Sequence, residues 1–476
     1  MQSFVRGRKA RTVAMCILAL ICGPASFLWA QGLPLSLDDA VRFALEKDPS
    51  VQSASWDWLA ASAKADAAKW GQLPSLSFGA GYQRLSDLPP MSLEMANPFY
   101  PLGPSQINFQ FPASLDNVTT LALNMEYPVF AGFRIQEAVA LAQLQAQSRL
   151  VGIEIVKRSL VFEVRRAYWE AVRATYNFQT LQKNLELMKS GSQLTAQQVA
   201  QGSATRADQL AADMRYNQAD IDLGDAASQQ ARAYLTLASL IGNASIPLEL
   251  SSQSPDSRPS LILTSRPADP DASDIRPPLV ESDLVSKALA GRPETRLSSL
   301  SIQIAEHGVK QAQAGLYPTV TLLGNYTFAD PNPRVPFQTD PTIFTGTWAL
   351  GVQLGYDIGG LPANLAECTA QTQALKKTQA DAQKQRTTVI LDVRTCIISL
   401  ERTWRDITLT QGNVEQAEEN LRVVQQRLSA GTANDLDVLT AQFNLLRANF
   451  AVTNRQIDAR IASADLARAI ALDQVR

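Results

Sequence analysis

Residues 347–356 read TWALGVQLGY, and this stretch decides the fold. Every second residue is apolar, and the residues between them are small or polar. A strand with this alternation has one apolar face, because successive side chains point to opposite sides. Membrane β-strands need about 9–11 such residues, with the apolar side chains toward lipid. The apolar residues are Trp348, Leu350, Val352, Leu354 and Tyr356.

Three further stretches alternate in the same way, at residues 75–83, 119–127 and 319–328. Four strands cannot close a membrane barrel, since the smallest barrels use about eight and lipid does not tolerate unpaired edges. A barrel must therefore be shared between chains, and three chains would give about twelve strands. The alternative is a soluble sheet of four half-buried strands, in which the aromatic ends have no meaning.

The first thirty residues predict a secretory signal peptide, residues 1–30. Arg6, Arg8, Lys9 and Arg11 form a basic start, an apolar run follows, and small and apolar residues lead to Ala30. The apolar run is short for a membrane-spanning helix, which argues against the alternative of an uncleaved anchor. Export favours an outer-membrane barrel over a soluble sheet.

Composition excludes several other classes of protein. The 476 residues carry 43 Lys and Arg against 45 Asp and Glu, so the chain lacks the basic excess of a nucleic-acid binder. His307 is the single histidine, which excludes a His-rich zinc site, and there is no nucleotide-binding glycine motif or CxxC pair. Cys368 and Cys396 lie on one predicted helix, about 42 Å apart at ~1.5 Å per residue, so they cannot pair. We therefore predict no catalytic residue, metal or cofactor.

The chain also repeats itself. Four pairs of identical residues are 244 positions apart, and a later set of identical pairs is 229 positions apart. Because the spacing changes between Tyr82 and Tyr127, the first half has a longer loop there. This register predicts two repeats, at residues 31–242 and 280–476, joined by a Pro- and Ser-rich irregular connector at 243–279. The early pairs are Pro49 and Pro293, Gly71 and Gly315, Pro74 and Pro318, and Tyr82 and Tyr326; the later ones include Gly202 and Gly431, and Asp208 and Asp437.

Each repeat also predicts long helices. The segments 133–200 and 362–429 would each reach roughly 100 Å, and each is followed by a glycine turn and a second helix. The resulting hairpins cover residues 133–241 and 362–471, with shorter helices at 50–71 and 294–315 before the strands. Apolar residues of the last helix step by three and four as in a coiled coil, so we expect a tube of helices extending from the strands. These residues are Leu436, Leu439, Phe443, Leu446 and Phe450.

This order of elements resembles the TolC family of outer-membrane efflux and secretion channels. The opening Leu37-Asp38-Asp39-Ala40 with Asp48-Pro49 is similar to the family's first segment, and the turns Gln201-Gly202-Ser203 and Ala430-Gly431-Thr432 are similar to its helical tips. The resemblance implies an α+β homotrimer with a shared 12-stranded transmembrane β-barrel, in the outer membrane of a Gram-negative-type cell. It also implies a periplasmic α-helical barrel that docks to a periplasmic adaptor and an inner-membrane pump or transporter.

The implied function is a passive exit duct for efflux or type I secretion. The alternative is a periplasmic coiled-coil scaffold without a channel, which would be soluble. Substrate and partner identity are not readable from the sequence, because selection would lie mainly in the pump.

The resemblance also assigns a periplasmic entrance. It implies that Asp437 contributes an acidic ring and that Asp208 takes part in closing contacts, while Thr440 stands where a second acid is expected. The usual Tyr and Arg of the closed entrance are replaced by Leu428 and Ala433, so we expect a looser entrance. Arg206, Arg427 and Asp435 are candidates to replace the missing bonds. The alternative role for both aspartates is helix capping, since each lies in the first turn of a helix.

Two further groups complete the predicted site. Residues at the tips are expected to contact the adaptor, and aromatic residues at the strand ends are expected to form a girdle at the lipid interface. The tip residues are Gly202, Ser203, Arg206, Leu428, Gly431 and Thr432. The girdle residues are Tyr82, Tyr127, Tyr326, Trp348 and Tyr356.

Overall fold

The computed structural model describes most of the chain after residue 32. The predicted signal peptide and most of the predicted connector lie outside the described residues. The described ranges are 33–86, 92–99, 101–110, 117–242, 261–263, 275–276, 278–332, 334–335 and 343–472. They fall into two compact units: a first unit with residues up to 55, 151–295 and from 384 on, and a second unit with 56–150 and 296–383.

Helices account for most of the described residues. None of them contains a segment long and apolar enough to cross a membrane. In chain order the helices are α1 (Leu37–Lys47), α2 (Pro49–Trp70), α3 (Arg134–Ala200), α4 (Arg206–Leu240), α5 (Glu281–Gly291), α6 (Pro293–Gln313), α7 (Leu361–Ser429) and α8 (Asp435–Ala469).

The described strands form three sheets. They are β1 (Leu33–Leu35), β2 (Ser75–Arg84), β3 (Ser92–Ala96), β4 (Gln106–Gln110), β5 (Asn117–Ala131), β6 (Leu261–Leu263), β7 (Thr319–Asp330) and β8 (Thr345–Gly355). The main sheet is antiparallel in the order β2-β5-β7-β8, and it belongs to the second unit. β2 and β8 are its outer strands, so within the described chain each has one edge without a neighbouring strand.

The strand register brings the four apolar faces together. Phe78 lies opposite Leu123, Leu123 opposite Tyr326, and Tyr326 opposite Trp348, so one apolar row crosses all four strands. Directly paired residues point to the same side of a sheet, so each such row lies on one face. Phe78 and Trp348 are 72% and 74% exposed, which makes this a solvent-accessible apolar face of the described chain.

β5 extends four residues beyond its predicted end at residue 127. Its pairing with β2 stops at Glu126, whereas its pairing with β7 continues to Ala131 through a bulge between Pro128 and Phe130. Pro128 has no N–H to donate, and it lies where β5 has lost one neighbour. The alternation that marks the middle of the strand is therefore broken at its end, although the strand continues.

Two regions that were expected to be irregular contain strands. Leu261–Leu263, within the predicted irregular connector, pairs in parallel with Leu33–Leu35. The predicted loop between the first two strands contains an antiparallel pair, Ser92–Ala96 with Gln106–Gln110. These strands have three and five residues, which is too short for a clear alternation in the sequence.

The first unit contains two apolar cores, and each is built around one long helix. In the first core, α1 packs against α3 and α4 with Ala40, Val164 and Leu237 fully buried. In the second core, α5 packs against α7 and α8 with Val393 and Leu466 fully buried. Small residues in α1 and α5 allow close packing on the long helices. Both cores anchor the hairpins that carry the tips.

Candidate functional site

The first hairpin tip joins α3 to α4 through a tight glycine turn. Gly202 has a φ of +74°, in the left-handed region that favours glycine. The N–H of Ser203 donates to the carbonyl oxygen of Gln198 (2.9 Å), and the N–H of Gly202 donates to that of Val199 (3.0 Å). These bonds satisfy carbonyl groups at the end of α3, as in a Schellman motif.

A capping box begins α4 directly after this turn. The Thr205 hydroxyl accepts from the N–H of Asp208 (3.2 Å), and Asp208 Oδ2 accepts from the N–H of Thr205 (2.9 Å). The same carboxylate oxygen also accepts from the Thr205 hydroxyl (2.7 Å). Hydrogen bonds from the Thr205 side chain, and then from its backbone, lower the pKa of Asp208. Asp208 is therefore a helix-capping carboxylate in this structure.

The second tip repeats the first turn almost atom for atom. Gly431 has a φ of +75°, and the N–H of Thr432 donates to the carbonyl oxygen of Arg427 (2.8 Å). The Thr432 hydroxyl donates to the same oxygen (3.1 Å). A Cβ atom at either glycine would have no heavy atom within 4 Å, so the glycines are required by their backbone conformation rather than by crowding.

The second capping box uses Asn434 in place of threonine. Its side-chain oxygen accepts from the N–H of Asp437 (2.8 Å), and Asp437 Oδ2 accepts from the N–H of Asn434 (3.0 Å). Asp437 is exposed, and Thr440 donates its hydroxyl to the carbonyl oxygen of Leu436 (2.8 Å). The capping alternative is thus realised at both tips, and it leaves both carboxylates open to solvent.

The candidate replacement residues form bonds within their own tips. Arg206 donates to Gln209 Oε1 (2.6 Å), and Arg427 donates to the carbonyl oxygen of Thr432 (3.2 Å). Leu428 is half-buried, and its carbonyl oxygen accepts from Gly431 N–H. Neither arginine reaches Asp208 or Asp437 through these bonds.

Above the tips, polar bonds join the helices at intervals. The Ser192 hydroxyl donates to Asp213 Oδ1 (2.7 Å) between α3 and α4, and Arg173 pairs with Asp458 (2.6 Å) between α3 and α8. Sequence reasoning did not find these contacts. Arg173 and Asp458 are 285 residues apart, and one charged residue in a long polar helix gives no sign of its partner.

The predicted aromatic girdle lies on the main sheet of the second unit. Tyr82 and Trp348 are strongly exposed, Tyr326 and Tyr356 are exposed, and Tyr127 is half-buried. The Tyr82 hydroxyl donates to Asn117 Oδ1 (2.7 Å) at one end of the paired strands. Cys368 and Cys396 are both free, as predicted. Within the described ranges no group of three His, Cys, Asp or Glu side chains could hold a metal ion.

Comparison with known proteins identifies a protein family whose pattern matches this chain. The pattern of the outer membrane efflux protein family matches residues 40–243 and 284–472. The chain belongs to this family. The resemblance to TolC-like channels is thereby confirmed, and so is the interpretation of the chain as a transport protein rather than an enzyme.

Individual relatives of the outer membrane efflux family are distant in sequence. Outer membrane efflux protein BepC of Brucella suis is 22% identical over 348 residues, covering 72% of this chain and 70% of BepC. The Campylobacter jejuni CmeC outer membrane channel has a TM-score of 0.71 at 15% identity, covering 91% of this chain and 85% of CmeC. The outer membrane protein VceC of Vibrio cholerae has a TM-score of 0.69 at 20% identity, with coverages of 91% and 95%. The solved structures share the fold with this chain.

Proposed function

We propose that three copies of this chain form an outer-membrane exit duct for a tripartite efflux or type I secretion system. The main support is the four-stranded sheet, with one continuous apolar face and two edges that have no neighbouring strand in the described part of the chain. Lipid tolerates an apolar face but not open edges, so copies must join β8 of one chain to β2 of the next. Three copies give a closed barrel of about twelve strands, which is within the range of known membrane barrels.

The long helices are assigned to the periplasm. The chain is interpreted as two tandem repeats. Leu37 and Glu281 begin equivalent helices 244 residues apart, and Arg206 and Asp435 begin equivalent helices 229 residues apart. Homologous halves at 31–242 and 280–476 would give each chain two hairpins and the trimer twelve helices in a periplasmic barrel. This arrangement needs a secretory signal peptide at residues 1–30 and an outer-membrane location.

The tips are the proposed periplasmic entrance. Asp437, Asp208 and Thr440 are assigned to the constriction, and a narrow ring of the three Asp437 carboxylates, one from each copy, would attract cations and repel anions. The surrounding turn residues are assigned to contact with a periplasmic adaptor, which would link the duct to an inner-membrane pump. Energy would come from that pump, and the duct itself would be passive. The strand-end aromatics would sit at the lipid headgroups.

The mass of the protein from outer membranes tests the proposal. The protein is extracted in mild detergent, and its mass is measured by light scattering with the bound detergent subtracted. We expect three times the mass of the mature chain. A monomer released without detergent would overturn the shared barrel and support a soluble periplasmic scaffold instead.

A further inference from the structure

The polar face of the main sheet is almost free of charge. The register places Ser75, Ser77, Thr120, Asn124, Asn325, Thr327, Thr347 and Gln353 on this face, with glycines, alanines and a few apolar residues between them. Glu126 is the single ionisable residue among the described strand positions on this face. It lies opposite Ser75 on β2 and Leu323 on β7, and it is exposed.

Glu126 is an isolated acidic side chain on this face. Among the described residues it takes part in no ion pair, and the neighbouring Ser75 hydroxyl donates to its backbone oxygen rather than to its carboxylate. Ser75 is the first residue of β2, so Glu126 lies at the end of the sheet where β2 follows α2. A lone exposed carboxylate on a neutral surface determines the sign of the local potential.

We infer that Glu126 sets a preference for cations over anions in the strand-built part of the duct, separately from the tip aspartates. This inference rests on the proposed trimer, which places the polar face toward the lumen. About twelve strands spaced ~4.8 Å apart and tilted ~40° give a backbone radius of roughly 12 Å. Three carboxylates reaching inward lie within about a Debye length of the axis at ~0.1 M salt, so their potentials add there.

Ion selectivity of the purified trimer in planar bilayers tests the inference. The reversal potential is measured in a potassium chloride gradient for the wild-type protein and for Glu126→Gln. Each is also measured in an Asp437→Asn background, so that the Asp437 carboxylates do not contribute to the measured selectivity. We expect Glu126→Gln to lower the potassium-to-chloride permeability ratio by about threefold at ~0.1 M salt in that background, and by little at ~1 M salt, where the Debye length is about 3 Å.

Two matched variants sharpen the result. Glu126→Asp keeps the charge and should keep the ratio. Asn124→Asp adds a second carboxylate on the same face and should raise the ratio; its side-chain oxygen accepts a bond from Asn325, which an aspartate can still accept. An unchanged ratio in Glu126→Gln, with a trimer that conducts, overturns the inference and leaves the duct intact. A wild-type protein that neither trimerises nor conducts overturns the proposed function, and the inference with it.

Discussion

Helices α1 and α5 each bury an alanine in their own core, but different polar bonds stabilise the two cores. Ala44 in α1 and Ala288 in α5 are both fully buried, and they are 244 residues apart. In the first core the Tyr168 hydroxyl donates to the carbonyl oxygen of Leu35 (3.0 Å). In the second core Ile397, which is 229 residues after Tyr168, has no hydroxyl to donate, and ion pairs of Arg292 join the elements instead.

The ion pairs of the second core centre on Arg292. This side chain is 7% exposed, and it contacts Asp392 (2.7 Å) and Glu294 (3.2 Å). Burial alone would lower the pKa of Arg292, but its hydrogen bonds to Glu294 and Asp392 outweigh burial, and the pKa is raised. The two cores thus share fully buried apolar residues, whereas different polar bonds stabilise them.

The largest expected loss of stability comes from a substitution in the second core. Leu466→Ala removes a fully buried side chain between α5, α7 and α8, and it should lower the free energy of unfolding by about 2–5 kcal/mol per chain. Leu237→Ala, at the matched position of the first core, should cost about the same, since Leu237 is equally buried. Urea unfolding followed by far-ultraviolet circular dichroism measures both. A large loss of unfolding free energy in one variant and none in the other would show that the two cores do not contribute equally to stability.

A smaller loss of stability is expected from a substitution at Arg292, and it should distinguish the second core from the first. Arg292→Met removes the guanidinium group and leaves Asp392 and Glu294 without it, for a cost of about 2–3 kcal/mol. The matched position in the first half is Asp48, so the first core has no arginine at this position to lose. The same urea titration measures this variant, and the double variant Arg292→Met, Asp392→Leu is its control. Partial recovery of stability in the double variant is expected, because the Asp392 carboxylate, which would keep only the more distant Arg468 guanidinium (3.5 Å), is removed. A double variant less stable than the single one would contradict this account.

These elements differ in how far the sequence predicts them. The bounds of α4 and α8 follow from Gly202 and Gly431 with their capping residues, because a local glycine turn and cap need no distant partner. The four strands follow from alternation, except for the end of β5 beyond Pro128. The contact of Arg292 with Asp392 spans 100 residues, and no local pattern encodes it. At the candidate site the capping role of Asp208 was among the sequence-derived alternatives, whereas its part in closing contacts at the entrance stays a prediction.

The two tip glycines offer the next test. Gly431→Ala forces a side chain into a backbone with φ of +75° and should destabilise the tip by about 1–2 kcal/mol. Gly202→Ala should behave the same, because the two turns have the same bonds and open space around the Cβ position. Hydrogen–deuterium exchange of peptides covering each tip measures the local opening. A change that spreads into the two cores would show that the tips do not open independently.

The smallest effect concerns the capping carboxylate of Asp208 and pH. The pKa of Asp208 is lowered by its bonds to Thr205, so ionised Asp208 stabilises the first tip at pH values above the ordinary carboxyl pKa. That contribution is lost as the pH falls through the lowered pKa, because protonation removes an acceptor that the Thr205 hydroxyl and N–H both use. Exchange protection at the first tip, corrected for intrinsic rates, should therefore fall as the pH drops below about 4, the ordinary pKa of an aspartate.

Thr205→Asn copies the cap of the second tip and provides the matched control. Asparagine keeps the acceptor for the N–H of Asp208, but it removes the hydroxyl that donates to the carboxylate. The variant should keep most of the helix cap, since Asn and Thr are both good capping residues, and it should shift the loss of protection toward higher pH. An acid response identical to that of the wild type would mean that the Thr205 hydroxyl does not lower the pKa of Asp208.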